Sequence, residues 1–232
     1  MVADKAARII LDGMARDAYR VMGRRREADG PPLPCASHSA YPPAAKPPDF
    51  TDKRHPQPAY GDSVMRETAS DLDFLQGLMD ETLADISPHM ASIVTPDKRL
   101  RASQVVRYLD GIKYVAFGTV TPAGEPRVSP LDSVFVRGRF TLSTDSSAAR
   151  VANLRHNPAC SLVHMVGDAV AIVVHGRVEW ITRDHAGHDE IHSVWTSTYD
   201  SDPYSWGNDI VLFRVQPAAM WAYAQRPNDF PE

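Results

Sequence analysis

The stretch from Arg127 to Pro158 constrains the fold more than any other part of the chain, because its hydrophobic period changes once, from two residues to nearly four. Two alternating runs, Val128 to Val136 and Arg139 to Ser143, flank the dipeptide Arg137-Gly138. Period-two alternation marks half-buried strands. A two-residue connection containing glycine marks a tight hairpin, since glycine tolerates the positive φ that such a turn requires. The polar cluster Thr144-Asp145-Ser146-Ser147 comes next, followed by a helical pattern with Ala148, Val151, Ala152 and Leu154 on one face and Asn157-Pro158 at its end. The segment therefore predicts strand, turn, strand, helix. Hydroxyls and unpaired backbone N–H groups are expected where the helix begins, with Arg150 one turn inside. Such donors and the positive end of the helix dipole both favour an anion such as phosphate.

The neighbouring segments extend this pattern into a mainly β domain with flanking helices. Lys113 to Thr121 alternates Val115, Phe117 and Thr119 against Tyr114, Ala116 and Val120, and Pro122-Ala123-Gly124-Glu125 turns it into the strand that carries Arg127. Ser70 to Ile86 has helical spacing through Leu72, Leu75, Leu78, Met79 and Leu83, and Ser103 is placed to cap a short helix ending near Gly111. After Pro158, Ala159 to Met165 and Ala169 to Ile181 read as strands, and Gly176 predicts a bend or bulge of the kind a closing sheet needs. A last strand is expected from Asp209 to Val215, ahead of Pro217. Trp195, Trp206, Trp221, Tyr199, Tyr204 and Tyr223 form an aromatic group near the chain end, suited to a core or a subunit interface.

Three domains of different character follow. Residues 1–22 read as an amphipathic helix, an appendage; residues 23–67 as a Pro-rich linker; residues 68–232 as the folded domain. Nine of the 19 prolines fall between Pro31 and Pro58 with almost no aliphatic residues, too little apolar surface to offset the entropy of ordering. A net charge of −4 argues against nucleic acid as the main partner. No apolar run approaches the roughly 20 residues that span a bilayer, and no secretory core is apparent, so a cytoplasmic address is the expectation. Cys35 and Cys160, the only cysteines, offer neither a disulfide framework nor a Cys-rich metal site.

Two histidine features compete for a functional reading. His185, His188 and His192 share a face at helical spacing, and imidazole is a good ligand for zinc. However, Asp189 stands where a zinc-peptidase helix would carry its glutamate, and Gly187 weakens the helix, so a solvated polar face is the better account and no metal site is assigned. His175, in a strand, is a candidate to contact a bound ring or substrate, against the simpler reading of a half-buried polar residue.

The block around Arg127, Thr144, Arg150, Leu154 and Asn157-Pro158 resembles the flavin-binding half of the pyridoxamine 5'-phosphate oxidase-like proteins, and the ending Ile210 to Val215, Pro217, Trp221 resembles their general-stress type. The resemblance runs from about Tyr114 to Tyr223. It implies a six-stranded split β-barrel and a flavin-dependent oxidoreductase using FMN, with a small-molecule substrate, no nucleic acid or membrane, and a homodimer whose cofactor lies between protomers. It further implies cofactor contacts at Arg127, Val128, Ser129, Ser143, Thr144, Ser147 and Arg150, with Trp221 approaching the ring, and no obligatory catalytic side chain. Ala148-Ala149-Arg150 stands where the authentic oxidases carry Ser-Arg-Lys, so their vitamin-oxidising activity is not implied. The alternatives on the same fold are a deazaflavin coenzyme and a non-catalytic flavin or haem binder.

Overall fold

Strand alternation and one sharp hairpin produce the sheet, which the computed structural model describes for residues 66–230. The expected helix at 1–22 and nearly all of the Pro-rich segment lie outside the described residues. In chain order the main elements are α1 (Ala69–Ala84), α2 (Pro88–Ile93), α3 (Ala102–Tyr108), β1 (Lys113–Val120), β2 (Pro126–Val136), β3 (Arg139–Asp145), α4 (Ala149–His156), β4 (Ala159–Val166), β5 (Val170–Ile181), α5 (His188–Tyr199) and β6 (Ile210–Ala224). The strands form a closed antiparallel barrel in the order β1-β2-β3-β6-β5-β4. A seam from Ala116↔Val163 to Gly118↔Ser161 joins β1 to β4. This is the six-stranded barrel expected from the sequence.

The hairpin between β2 and β3 forms where predicted, with Val136 opposite Arg139 and positive φ at both Arg137 (53°) and Gly138 (73°). Left-handed backbone is unfavourable for arginine, and tertiary contacts hold it. The Arg137 N–H donates to Glu67 Oε1 (3.0 Å), its Nη1 lies 3.2 Å from Asp71 Oδ2 and its Nε 2.8 Å from Glu190 Oε1. Contacts with the barrel therefore begin at Arg66 and Glu67, just before the boundary expected at residue 68.

A bulge sets the shape of the β5–β6 pair. Gly176 faces Pro217 and His175 faces Ala219, leaving Ala218 as the extra residue. One extra residue exchanges the faces of a strand whose side chains alternate. Phe213 and Val215 point into the barrel before the bulge; Met220, Ala222 and Ala224 do so after it. The strand therefore continues through Pro217, where the sequence suggested an end. The Met220 N–H at this point is satisfied by Thr82 Oγ1 of α1 (3.0 Å).

The barrel interior is one apolar core, including Phe117, Leu142, Leu162, Ile172 and Phe213, to which Leu75 and Met79 of α1 and Val105 and Leu109 of α3 add. The start of α3 differs from the expected cap at Ser103. Arg101 is the N-cap and donates its N–H to Gln104 Oε1 (2.9 Å), while the Ala102 N–H is taken by Gln76 of α1, so a contact between helices decides the boundary. A second core lies outside the barrel under α5, with Val134, Val136, Ile181, Leu212 and the fully buried Trp195. Trp195 stacks on Tyr199 at 5.4 Å, and Trp206 closes on both edge-on. These three aromatics, read from the sequence as suited to a core or a subunit interface, pack against one another within the chain.

His164, buried inside the barrel, makes its surroundings pH-sensitive. Its Nδ1 lies 2.8 Å from the Tyr114 carbonyl, which has no hydrogen to give, so Nδ1 donates and Nε2 accepts from Tyr108 Oη at 2.9 Å. Burial, reinforced by the nearby Lys113 cation, holds its pKa below the ordinary 6.5. As the pH falls below 6.5 the unfolded chain binds a proton that the folded chain refuses. The stability contribution is complete above 6.5 and is lost on acidification toward the folded pKa, at no more than about 1.4 kcal/mol per pH unit. The acid loss from Glu179, whose carboxyl is held down to about 2 by Arg214, Gln216 and His185 against the effect of burial, begins only below 4.5. Urea midpoints between pH 7.5 and 5 should fall more steeply for the wild type than for His164→Gln.

Candidate functional site

The site is built at one end of the barrel where β3 runs into α4. Ser146 N donates to the Asp209 carbonyl (2.8 Å) and Ala148 N to the Asp145 carbonyl (3.0 Å), which turns the chain into the helix. Val151 and Leu154 anchor α4, and Asn153 Nδ2 donates to Thr119 Oγ1 of β1 (3.1 Å). Here Asn153 is buried, whereas Ala152, expected on the inner face, is exposed.

With α4 so placed, Arg150 reaches back over the strand ends. Its Nη1 donates to Thr144 Oγ1 (2.5 Å) and its Nε to Ser129 Oγ (3.2 Å). The guanidinium is thereby positioned by two hydroxyls, and no described carboxylate pairs with it. A cation oriented by neutral groups keeps its charge available to an anion. Side chains alternate along a strand, which decides the position of several other candidates. Phe140, Leu142 and Thr144 share the inner face of β3, while Ser143 faces the other way; its partner Leu212 belongs to the second core. Val128 likewise lies on the opposite face of β2 from Arg127 and Ser129, 72% exposed on the outer surface.

Arg127 shares a β2 face with Ser129 but does not join Arg150. Its Nη2 lies 2.5 Å from Glu125 Oε2 in the preceding turn, and Nη1 donates to the Pro126 carbonyl. Ser147 is also engaged: its N–H and Oγ both donate to Asp145 Oδ1, at 2.9 and 2.5 Å. Those bonds hold the Asp145 carboxyl below its ordinary pKa, so an anion already sits near the first turn of α4. Sequence reasoning missed this carboxylate. Its signal was present, since Asp two residues before a serine at a helix start is a common turn-forming pattern. Trp221 lies ten residues along β6 from Val211, the partner of Thr144, roughly 30 Å at strand rise. The chain therefore brings together Ser129, Thr144 and Arg150, and does not bring Trp221 to them.

The histidine face also resolves. His188 starts α5 and bonds to Tyr204 Oη (2.9 Å), His192 pairs with Asp202, and His185 precedes the helix and pairs with Glu179. Among the described residues no group of three or more His, Cys, Asp or Glu is arranged to hold a metal ion.

A small closed six-stranded barrel with a hydroxyl-oriented arginine on the helix after its third strand defines the split-barrel fold and the candidate site on it. A family model described as pyridoxamine 5'-phosphate oxidase matches residues 102–223, more than half of the chain. The chain belongs to that family. Among solved structures, the conserved hypothetical protein Rv2991 from Mycobacterium tuberculosis is similar with a TM-score of 0.50 and 18% identity, over 59% of this chain and 92% of that one. HutZ, a heme storage protein from Vibrio cholerae, is similar with a TM-score of 0.42 and 20% identity, over 48% of this chain and 85% of that one. An F420 reductase follows with a TM-score of 0.38 and 23% identity, over 48% and 91%. At these identities the likeness is one of fold. No curated protein matches the sequence.

Proposed function

We propose that this protein is an FMN-dependent oxidoreductase acting on a small molecule, in which Arg150 grips the cofactor phosphate. The observation that supports the reading best is the Arg150 guanidinium, held by Thr144 and Ser129 and left without a carboxylate among the described residues. Phosphate fits this donor set, since it accepts from a planar guanidinium and from hydroxyls at once. Arg127 would join after releasing Glu125, and Ser147 after exchanging Asp145 for phosphate. When bound, the flavin supplies the redox chemistry, and the chain's part is to hold the phosphate, orient the ring and shape the substrate pocket. No side chain is assigned a proton-transfer step.

The outer face of the barrel supports a homodimer as the working unit. Tyr114 and Val128, each 72% exposed, and Met165, 59% exposed, lie on one outer surface with Pro130, Ala116 and Val163. A contiguous apolar face of this kind is suited to a self-complementary twofold contact. The second copy then brings its Trp221 to the cofactor that Arg150 holds. Among the described residues no helix is long and apolar enough to cross a membrane, and a cytoplasmic site of action is part of the proposal.

Absorbance of freshly purified protein tests the cofactor. A flavin band near ~450 nm, restored by added FMN after stripping, is the expected result. A band at shorter wavelength would assign the deazaflavin coenzyme, and an intense Soret band haem. Light scattering should give twice the chain mass.

A further inference from the structure

A cavity of about 310 Å³ lies between α1, α3, β6 and two short helical turns, Pro96–Lys98 and Pro227–Asp229. Ala222 lines it, which places it toward the end of β6 away from Val211, the partner of Thr144. It is therefore not part of the Arg150 site. Its floor is apolar, with Met79, Leu100 and Ala222 all buried. The two glutamine amides beside it are already committed. Gln76 accepts from the Ala102 N–H and donates to Asp80 Oδ1, both at 2.9 Å. Gln104 accepts from the Arg101 N–H at 2.9 Å and donates to the Pro227 and Phe230 carbonyls at 3.0 and 3.2 Å.

Four charged residues complete the lining: Asp80, Asp97, Arg99 and Arg101. Among the described residues, Asp80, Asp97 and Arg99 form no ion pair. Two of these charges are nevertheless oriented. Arg99 Nε donates to the Val94 carbonyl at 3.2 Å, which leaves both terminal nitrogens of the guanidinium to a ligand. Asp80 is held by Gln76, itself tied to α3. Nearby charges outside the lining are turned to other groups: Lys98 stands 5.7 Å over the Tyr223 ring, and Arg226 pairs with Asp229 at 3.0 Å. The cavity thus presents a positioned cation and a positioned anion that do not neutralise each other. A ligand with one charge would meet a like charge in the same space, whereas a ligand with both satisfies the pair at once. The volume is at the lower end of the roughly 300–1,000 Å³ of small-molecule sites, so the ligand is metabolite-sized.

We infer that this cavity binds a small zwitterion with an apolar body, an apolar α-amino acid, whose carboxylate meets Arg99 and whose ammonium meets Asp80. The elements around it are already tied together, α1 to β6 by Thr82 Oγ1 and the Met220 N–H (3.0 Å), and α1 to α3 by Gln76. A ligand held by α1, Arg99 and the floor of the cavity adds to those ties and stabilises the folded chain. The inference does not depend on which cofactor the barrel holds.

Titration calorimetry of the full-length protein with L-leucine, N-acetyl-L-leucine, which lacks the ammonium, and L-leucinamide, which lacks the carboxylate, tests it. L-leucine should bind about tenfold or more tightly than either blocked form and should raise the thermal midpoint. Asp80→Asn, which can still accept from Gln76, should reduce the preference over N-acetyl-L-leucine at least threefold and leave that over L-leucinamide. Arg99→Met should do the reverse. Equal affinity for the three forms, or no binding of either L-leucine or L-phenylalanine, would overturn the site. Should Arg99→Met fail to fold, because Arg99 also holds the Val94 carbonyl, Asp80→Asn decides alone, and an undiminished preference over the acetylated form in that variant counts against the inference.

Discussion

Gly176→Ala should destabilise the barrel by about 3 kcal/mol or more, the cost expected where a new atom can be accommodated only by moving backbone. The added Cβ would lie 2.2 Å from the Gln216 carbonyl oxygen, 3.0 Å from its carbon and 3.1 Å from Pro217 Cα. All three are main-chain atoms of β6, so no side-chain rotation relieves the clash. The strain also falls where the face exchange occurs, and relaxing it endangers the inward orientation of Met220, Ala222 and Ala224. Urea denaturation followed by circular dichroism would measure it. Gly77→Ala is the control: a Cβ there meets nothing within 4 Å, and alanine is the better helix former, so this variant should be unchanged or slightly more stable.

The second large effect is expected at Trp195. It is fully buried and is the largest side chain of the core under α5. Trp195→Ala should cost about 3–5 kcal/mol, since the cavity lies among Val134, Leu212 and Val194, which are held by strands and helix and cannot collapse onto it. Trp195→Phe should cost far less than its volume loss suggests. The indole Nε1 is buried without a hydrogen-bond partner, and removing an unsatisfied donor returns about 1–3 kcal/mol. A Phe variant as unstable as the Ala variant would show that Nε1 is satisfied after all.

The parts of this fold that could be read from sequence are those whose causes are local. Arg137-Gly138 gives the hairpin its register because both residues take positive φ, and alternation places Val115, Phe117, Leu142 and Ile172 inside the barrel. Gly176 marks the bulge because no other residue fits there. What could not be read depends on partners distant in the chain. Ser103 has the chemistry of a cap, yet Gln76, 26 residues before Ala102, decides where α3 begins. Pro217 suggests an end to β6, but the bulge opposite Gly176 lets the strand pass through. The aromatic group near the chain end split in two: Trp195, Tyr199 and Trp206 pack under α5, and Trp221 lies against His175 on the outer face.

The candidate site shows the same division. The six-residue interval between Thr144 and Arg150 spans the end of β3, the turn through Ser146 and Ala148 and the first residues of α4, which is how an arginine at the start of α4 returns to β3. The state of the other donors depends on neighbours that donor counting overlooks. Asp145 takes both groups of Ser147, and Glu125 takes the guanidinium of Arg127. These two carboxylates also rank the anchors, since Arg127 is turned to Glu125 and Ser147 to Asp145, whereas Arg150 is already aimed by Thr144 and Ser129 with no described carboxylate to release.

The affinity of Arg150→Ala for FMN, measured by flavin fluorescence titration beside the wild type and Arg127→Ala, tests the account most directly. Losing one charge-assisted contact should weaken binding by about 2 kcal/mol, roughly 30-fold, with the oligomeric state and the thermal midpoint those of the wild type. Arg127→Ala should lose only about threefold. An Arg150→Ala protein that holds FMN as tightly as the wild type would contradict the assignment of the phosphate to α4.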